Sequence, residues 1–218
     1  MKNRNVTFRC AFFLFILPAF LQGQSNSASA FFNTDTIPAT YLGIDFTKAK
    51  LINDLASNAT TIQSQQFTGI NNLMIAESKK YKIQGAYHRS TWNVDLKEVE
   101  VRNQKSDPFQ LKSSDDSDLY RLNKGDIESL VNNFDYGSNK GYGILLVVEG
   151  MSKSKKLITI WFTLVDMDTR NVLFTDRVEG KLGSGFGFRN YWASAIKSSI
   201  SEVKSPRYTE WKAVAGTK

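Results

Sequence analysis

The chain has 218 residues with one cysteine, one histidine and 28 basic against 21 acidic residues, a formal charge of +7. A single histidine excludes a multi-histidine metal site, and a single cysteine excludes an internal disulfide and a thiolate zinc cage. The length suits one domain, which at this size buries about 70% of its unfolded surface and needs no covalent staple.

Lys2, Arg4 and Arg9 precede an apolar run from Cys10 to Leu21, and the small, polar stretch QGQSNSASA follows. This is the pattern of a secretory signal peptide. A membrane span needs about 18–20 apolar residues; this run is shorter and Pro18 interrupts it. The reading is a removed signal over residues 1–23, with the cut after Gly23 and Ala30 as second choice. The product is exported, periplasmic or secreted, with no transmembrane anchor after signal removal. It carries no lipid anchor either, because Cys10 precedes the apolar run. Cleavage removes three cations, no acid and the only thiol, which lowers the charge to +4 and excludes a cysteine nucleophile. So modest a charge speaks mainly to solubility.

Residues 24–38 are expected to form a flexible leader, 39–205 a single α/β domain and 206–218 a C-terminal tail. ATYLGIDF (39–46) reads as a buried strand. A helix follows from Asn58 to about Ser78, with Ile62, Phe67, Ile70, Leu73 and Met74 near one face and Asn58 or Thr60 as its cap. Residues 79–91 are basic and polar, with Lys79, Lys80, Lys82, His88 and Arg89. In WNVDLKEVEVR (92–102) the apolar positions change phase after Leu96, as a bulged strand or a short helix would make them. Residues 103–123, with Pro108 and SSDDSD, read as a long surface excursion.

A short helix capped by Asp126 presents Ile127, Leu130, Val131 and Phe134 and ends at Gly137. Segments 143–151, 157–168 and 172–181, joined by the SKSKK tip and the DTRN turn, read as a three-stranded antiparallel meander. Its first two strands are nearly continuous runs of large apolar residues, so both faces should be covered. A glycine-rich segment then leads into a helix over 190–203. The expected fold is α+β: a four- to five-stranded, largely antiparallel sheet with that C-terminal meander and two to three packed helices.

Gly183-Ser184-Gly185-Phe186-Gly187 stands between a strand and a helix, where phosphate loops occur. Phe188 breaks the G-x-G-x-x-G spacing and no Lys-Ser/Thr pair follows, so a tight connection is the reading. Asp166 and Asp168 resemble a phosphatase or calcium pattern, but Arg170 occupies a required position in both; they read as turn formers. His88 lacks acidic neighbours and no G-x-S-x-G elbow exists, so it reads as a solvated surface residue. Asp45, Glu149, Asp166 and Glu179 are the carboxylates available to an acid pair, Asp45 and Glu149 foremost.

The aromatic-rich segment supplies a candidate ligand or partner surface: Gly183, Gly185, Phe186, Gly187, Phe188, Arg189, Tyr191 and Trp192. Core packing is the competing role for its rings. Lys153, Lys155 and Lys156 are candidate anion contacts, beside the plainer role of a charged tip that keeps the hairpin soluble. No cofactor and no metal are predicted, and no nucleic-acid-binding module is visible.

Ile44-Asp45-Phe46, together with Leu164, Asp166, Thr169 and Val172, resembles the first strand and a later hairpin of small envelope α/β domains. These are the domains of curli-secretion-channel lipoproteins and penicillin-binding-protein activators; the chain is also similar to exported proteins of Bacteroidetes-type bacteria. Arg170 replaces the hairpin glycine, no lipid-anchor cysteine exists, and residues 103–123 have no counterpart. The resemblance implies a non-catalytic adaptor bound to other envelope components and transfers no catalytic residue. The expected function is an exported interaction or adaptor module of the bacterial cell envelope, its partner an envelope protein or a glycan or lipid surface. The alternatives are a small-ligand or lipid-binding domain and a carboxylate-based hydrolase.

Overall fold

The computed structural model describes residues 26–54 and 56–217; the expected signal over residues 1–23 and its cut after Gly23 lie outside them. Ser27 caps α1 (Ala28–Asn33) by accepting from the Ala30 N–H at 3.1 Å. Phe31 and Phe32 of this helix are buried. Within the expected flexible leader, this stretch is therefore a packed helix, and a cut after Ala30 would sever it.

β1 (Ala39–Asp45) and β2 (Lys50–Ile52) follow. Asn58 then caps α2 (Ala59–Thr61), which runs through a π-helical turn, Ile62–Gln66, into α3 (Phe67–Ala76). Two single turns come next, α4 (Ser78–Tyr81) and α5 (Ile83–Ala86). β3 (Trp92–Val94) and α6 (Lys97–Lys105) account for the phase change in 92–102: the period shifts because the chain passes from strand to helix. Residues 108–120 hold two 3₁₀ turns, Pro108–Gln110 and Asp116–Tyr120, around β4 (Lys112–Ser113). Leu111, Leu119 and Leu122 are buried, so the expected surface excursion is stitched to the core. α7 (Lys124–Asn132) opens on a capping box of Asn123 and Asp126. The strands β5 (Tyr142–Ser152), β6 (Leu157–Asp166) and β7 (Asn171–Lys181) precede α8 (Gly187–Glu202) and α9 (Tyr208–Ala215).

The sheet corrects the expected fold. It has seven strands, and four of its six pairings are parallel: β1–β3, β1–β5, β2–β4 and β2–β5. Only β5–β6 and β6–β7 are antiparallel. Nine α-helical segments, rather than two to three, surround it among the described residues. β1 and β2 lie end to end along one edge of β5, forming a single strand position interrupted at residues 46–49.

The other edge of β1 is finished by side chains. β3 covers only Ala39–Tyr41, so the outer edge of β1 beyond that point has no strand beside it. Two buried asparagines take its place. Asn71 of α3 accepts from the Ile44 N–H at 2.7 Å and donates to the Ile44 carbonyl at 2.9 Å. Asn103 of α6 donates to the same carbonyl at 3.0 Å and accepts from the Phe46 N–H at 2.7 Å. Side chains thus satisfy groups that burial would otherwise leave without partners, at about 1–3 kcal/mol each.

Two cores follow. On one face Tyr41, Ile44, Leu146, Phe162, Trp192 and Ile196 are buried with residues of α1, α3, α5, α8 and α9. On the other, Leu42, Leu145, Val147 and Trp161 pack with Val99 of α6 and Ile127 and Val131 of α7. The expected C-terminal tail is part of the first core: Tyr208, Trp211 and Ala215 of α9 are buried, and Trp211 Nε1 donates to Asp176 Oδ2 at 2.8 Å. Among the described residues no helix is long and apolar enough to cross a membrane.

Candidate functional site

Acid-pair catalysis needs two carboxylates that converge in one cleft. Asp45 is fully buried and accepts from Arg102 Nε at 2.8 Å and from the Thr47 N–H at 2.8 Å. Glu149 is fully buried at the β5 bulge and accepts from Arg177 Nε at 2.7 Å, from Trp161 Nε1 at 3.0 Å and from the Leu122 N–H. Burial raises the Glu149 carboxyl above its usual range, and the Leu122 amide and Arg177 offset only part of that. Each acid is spent on its own arginine, and neither lines any of the cavities described below.

Glu179 accepts from the Tyr120 hydroxyl at 2.7 Å, a bond that raises the phenol to about 12. Asp166 Oδ1 accepts from the Asp168 N–H at 3.0 Å, and Asp168 Oδ2 accepts from the Gly141 N–H at 2.8 Å, the work of turn formers. His88 is exposed and stacks on Tyr208 at 4.1 Å. Among the described residues no three His, Cys, Asp or Glu side chains are grouped to hold a metal ion.

The Lys153–Lys156 tip is largely neutralised. Lys153 pairs with Asp54 at 2.5 Å and Lys155 with Asp116 at 3.2 Å; Lys156 stands beside them at a positive φ of 53°. Burial pushes the Asp54 carboxyl up, but its bonds to Lys153 and Ser57 pull harder, and it ends below its ordinary value.

The glycine-rich segment holds the more open surface. It doubles back along α8: the Lys181 N–H donates to Ser198 Oγ at 3.2 Å and the Gly183 N–H to Ser194 Oγ at 3.0 Å. At Gly185 a Cβ would lie 2.7 Å from the Asn190 carbonyl carbon, so the chain presses on the helix where only glycine fits. Gly187 turns into α8 at φ +75°, the left-handed region. Between these two glycines Phe186 is thrown outward and is 95% exposed.

The remaining candidates separate. Trp192 is buried in the core, with Phe188 tilted against it at 6.2 Å and Tyr191 edge-on at 5.5 Å. Arg189 lies over α3, where a Cβ at Gly69 would be 2.4 Å from its Nε. Of the proposed aromatic surface, Phe186 alone faces solvent as a full ring.

Phe186 and Gly183 border a groove of about 590 Å³ with Lys80, Lys181, Lys197 and Glu202. A second arm of about 370 Å³ shares Lys80, Tyr81, Lys197 and Ser201 with the first and adds Lys79, Lys82 and Lys204. The two arms together hold six lysines and one acid. Lys80 is bonded to Glu77 at 2.6 Å, which raises its ammonium above the ordinary range. The other five are exposed and enter no ion pair among the described residues.

Lys181, Lys197 and Lys204 were missed as site residues. Lys197, Ser201 and Lys204 stand at i, i+4 and i+7, one helical face opposite the Trp192 stripe, so periodicity alone could have found them.

No protein-family profile matches the chain. No curated protein matches it either. One solved structure that it is similar to is a candidate lipoprotein from Caulobacter crescentus, 12% identical over 46% of this chain and 89% of that one, with a TM-score of 0.23. A superposition at that score establishes neither a common fold nor a shared role.

Proposed function

We propose that this chain is an exported, non-catalytic interaction module of the bacterial cell envelope, and that it engages an anionic partner through the lysine groove between α4 and α8. One observation carries the reading: six lysines against one acid line a single connected groove. The chain without residues 1–23 has a formal charge of only +4, and the excess of lysines over acids lining the groove exceeds that whole net charge. A cleft lined by one sign of charge raises the local concentration of opposite charge. The leader pattern over residues 1–23 supports the export part of the reading, and the arginine-paired state of Asp45 and Glu149 supports the non-catalytic part.

Dextran sulfate serves as the soluble probe. Titration calorimetry at low salt should show binding that weakens as salt screens the groove, and K197E/K204E should abolish it. Binding that ignores salt, or no binding at all at low salt, would overturn the reading.

A further inference from the structure

Six cations explain attraction to any polyanion; they do not explain Phe186. A 95% exposed phenylalanine has no use in holding a sulfated or phosphorylated polymer, which offers no apolar surface to cover it. The backbone that carries the ring is anchored to α8. The chain before it lies against α8 through the Gly183–Ser194 bond, and Asn190 Nδ2 donates to the Phe186 carbonyl at 3.2 Å. It stands in the same groove wall as Lys80, Lys181 and Lys197. Phe109, 88% exposed, lines neither arm of the groove.

An apolar side chain ringed by lysines matches one anionic partner, the surface of a bilayer rich in acidic phospholipid. There cationic side chains meet the headgroups while an aromatic ring enters the acyl boundary. We infer that the Phe186 loop and the lysine groove form a peripheral membrane-docking face, with Phe186 as the inserted anchor and Lys181, Lys197 and Lys204 as headgroup contacts. This rests on the groove reading above and narrows its partner to a lipid surface.

Both determinants are small enough to read separately. Each lysine near an acidic membrane is worth about fivefold in affinity, so K197A/K204A should bind about 25-fold more weakly. Loss of the ring in Phe186→Ser should cost about tenfold. Phe186→Trp should keep the affinity, because indole suits the interface equally well. All these positions are exposed, so the variants should fold as the parent does, which circular dichroism checks.

The test is co-sedimentation of the exported form of the chain with phosphatidylglycerol–phosphatidylcholine vesicles and with pure phosphatidylcholine vesicles, beside the dextran sulfate titration. Sedimentation with the acidic vesicles alone, lost in steps by the serine and the double alanine variants and retained by tryptophan, is the expected result. Dextran sulfate binding without vesicle binding overturns the membrane inference and leaves the groove reading standing, as does vesicle binding that Phe186→Ser does not weaken. Failure of both probes removes both.

Discussion

Glu149→Ala is the sharpest perturbation of the interior, because it asks whether a buried carboxylate serves structure or chemistry. Glu149 is fully buried, and its removal strands the Leu122 N–H and Trp161 Nε1 and leaves the Arg177 charge with only the Leu122 and Tyr120 carbonyls. Breaking a buried ion pair from one side costs about 3–5 kcal/mol. The Arg177 side chain is 27% exposed and can recover part of its hydration, which puts the expected loss near the lower end, about 3 kcal/mol. With a urea slope of about 1–3 kcal/mol/M, the unfolding midpoint should fall by at least 1 M. Removing both partners with apolar replacements, E149L/R177M, should restore only the part that comes from the unpaired Arg177 charge, because the Leu122 N–H and Trp161 Nε1 still lack their acceptor. Urea unfolding at pH 7, followed by circular dichroism, measures all three chains. A loss below about 1 kcal/mol for Glu149→Ala would refute the structural role.

Other consequences concern pH, packing and the C-terminus. Asp54 titrates below its ordinary value when folded, so its contribution is present above the unfolded pKa and is lost as pH falls through the folded one. The stability difference between wild type and Asp54→Asn should therefore shrink from about pH 5 downward in a pH series of thermal melts. Glu149 has the opposite sign: its folded value is raised, so the wild type should gain on Glu149→Gln as pH falls from neutrality. At Gly180 a Cβ would stand 2.1 Å from the Ala195 carbonyl oxygen, so Gly180→Ala must push α8 off β7. A loss of about 3 kcal/mol or complete misfolding is expected, read by thermal melting. Deleting residues 206–218 removes Tyr208 and Trp211 from around Phe32 and Phe174. That chain should unfold more than 10 °C earlier or aggregate, since each large ring lost costs about 3–5 kcal/mol.

What the sequence reveals and hides follows from chain length and contact range. The strands β5 and β6 are ten or more residues long and largely apolar and announce themselves, as does YLGIDF. The direction in which β1 pairs is invisible, because it is set by a crossover of nearly one hundred residues rather than by a turn. β3 and β4, three and two residues long, are too short to show a period. Nor does any local pattern tell that Asn71 and Asn103 replace a missing strand; Asn71 looks like a polar interruption of a helix and Asn103 like the start of a surface loop. Phe31, Phe32 and Trp211 sit in short polar surroundings that read as leader and tail, yet they close one aromatic cluster from opposite ends of the chain. The groove was half legible: Lys79, Lys80 and Lys82 form an evident basic stretch, but their meeting with Lys181, Lys197 and Lys204 depends on how α8 packs. The Lys153–Lys156 tip shows the reverse error, since its distant partners Asp54 and Asp116 cannot be seen from the tip itself.

The lysine groove between α4 and α8 is expected to carry most of the attraction for anions. Two double reversals with the same change in net charge test it: K197E/K204E in the groove, and K105E/K124E on α6 and α7, which cover the opposite face of the sheet. Calorimetric affinity for dextran sulfate at low salt should vanish in the first and stay within about twofold of wild type in the second. Equal weakening by the two pairs would mean that the whole surface, and not the groove, attracts the anion.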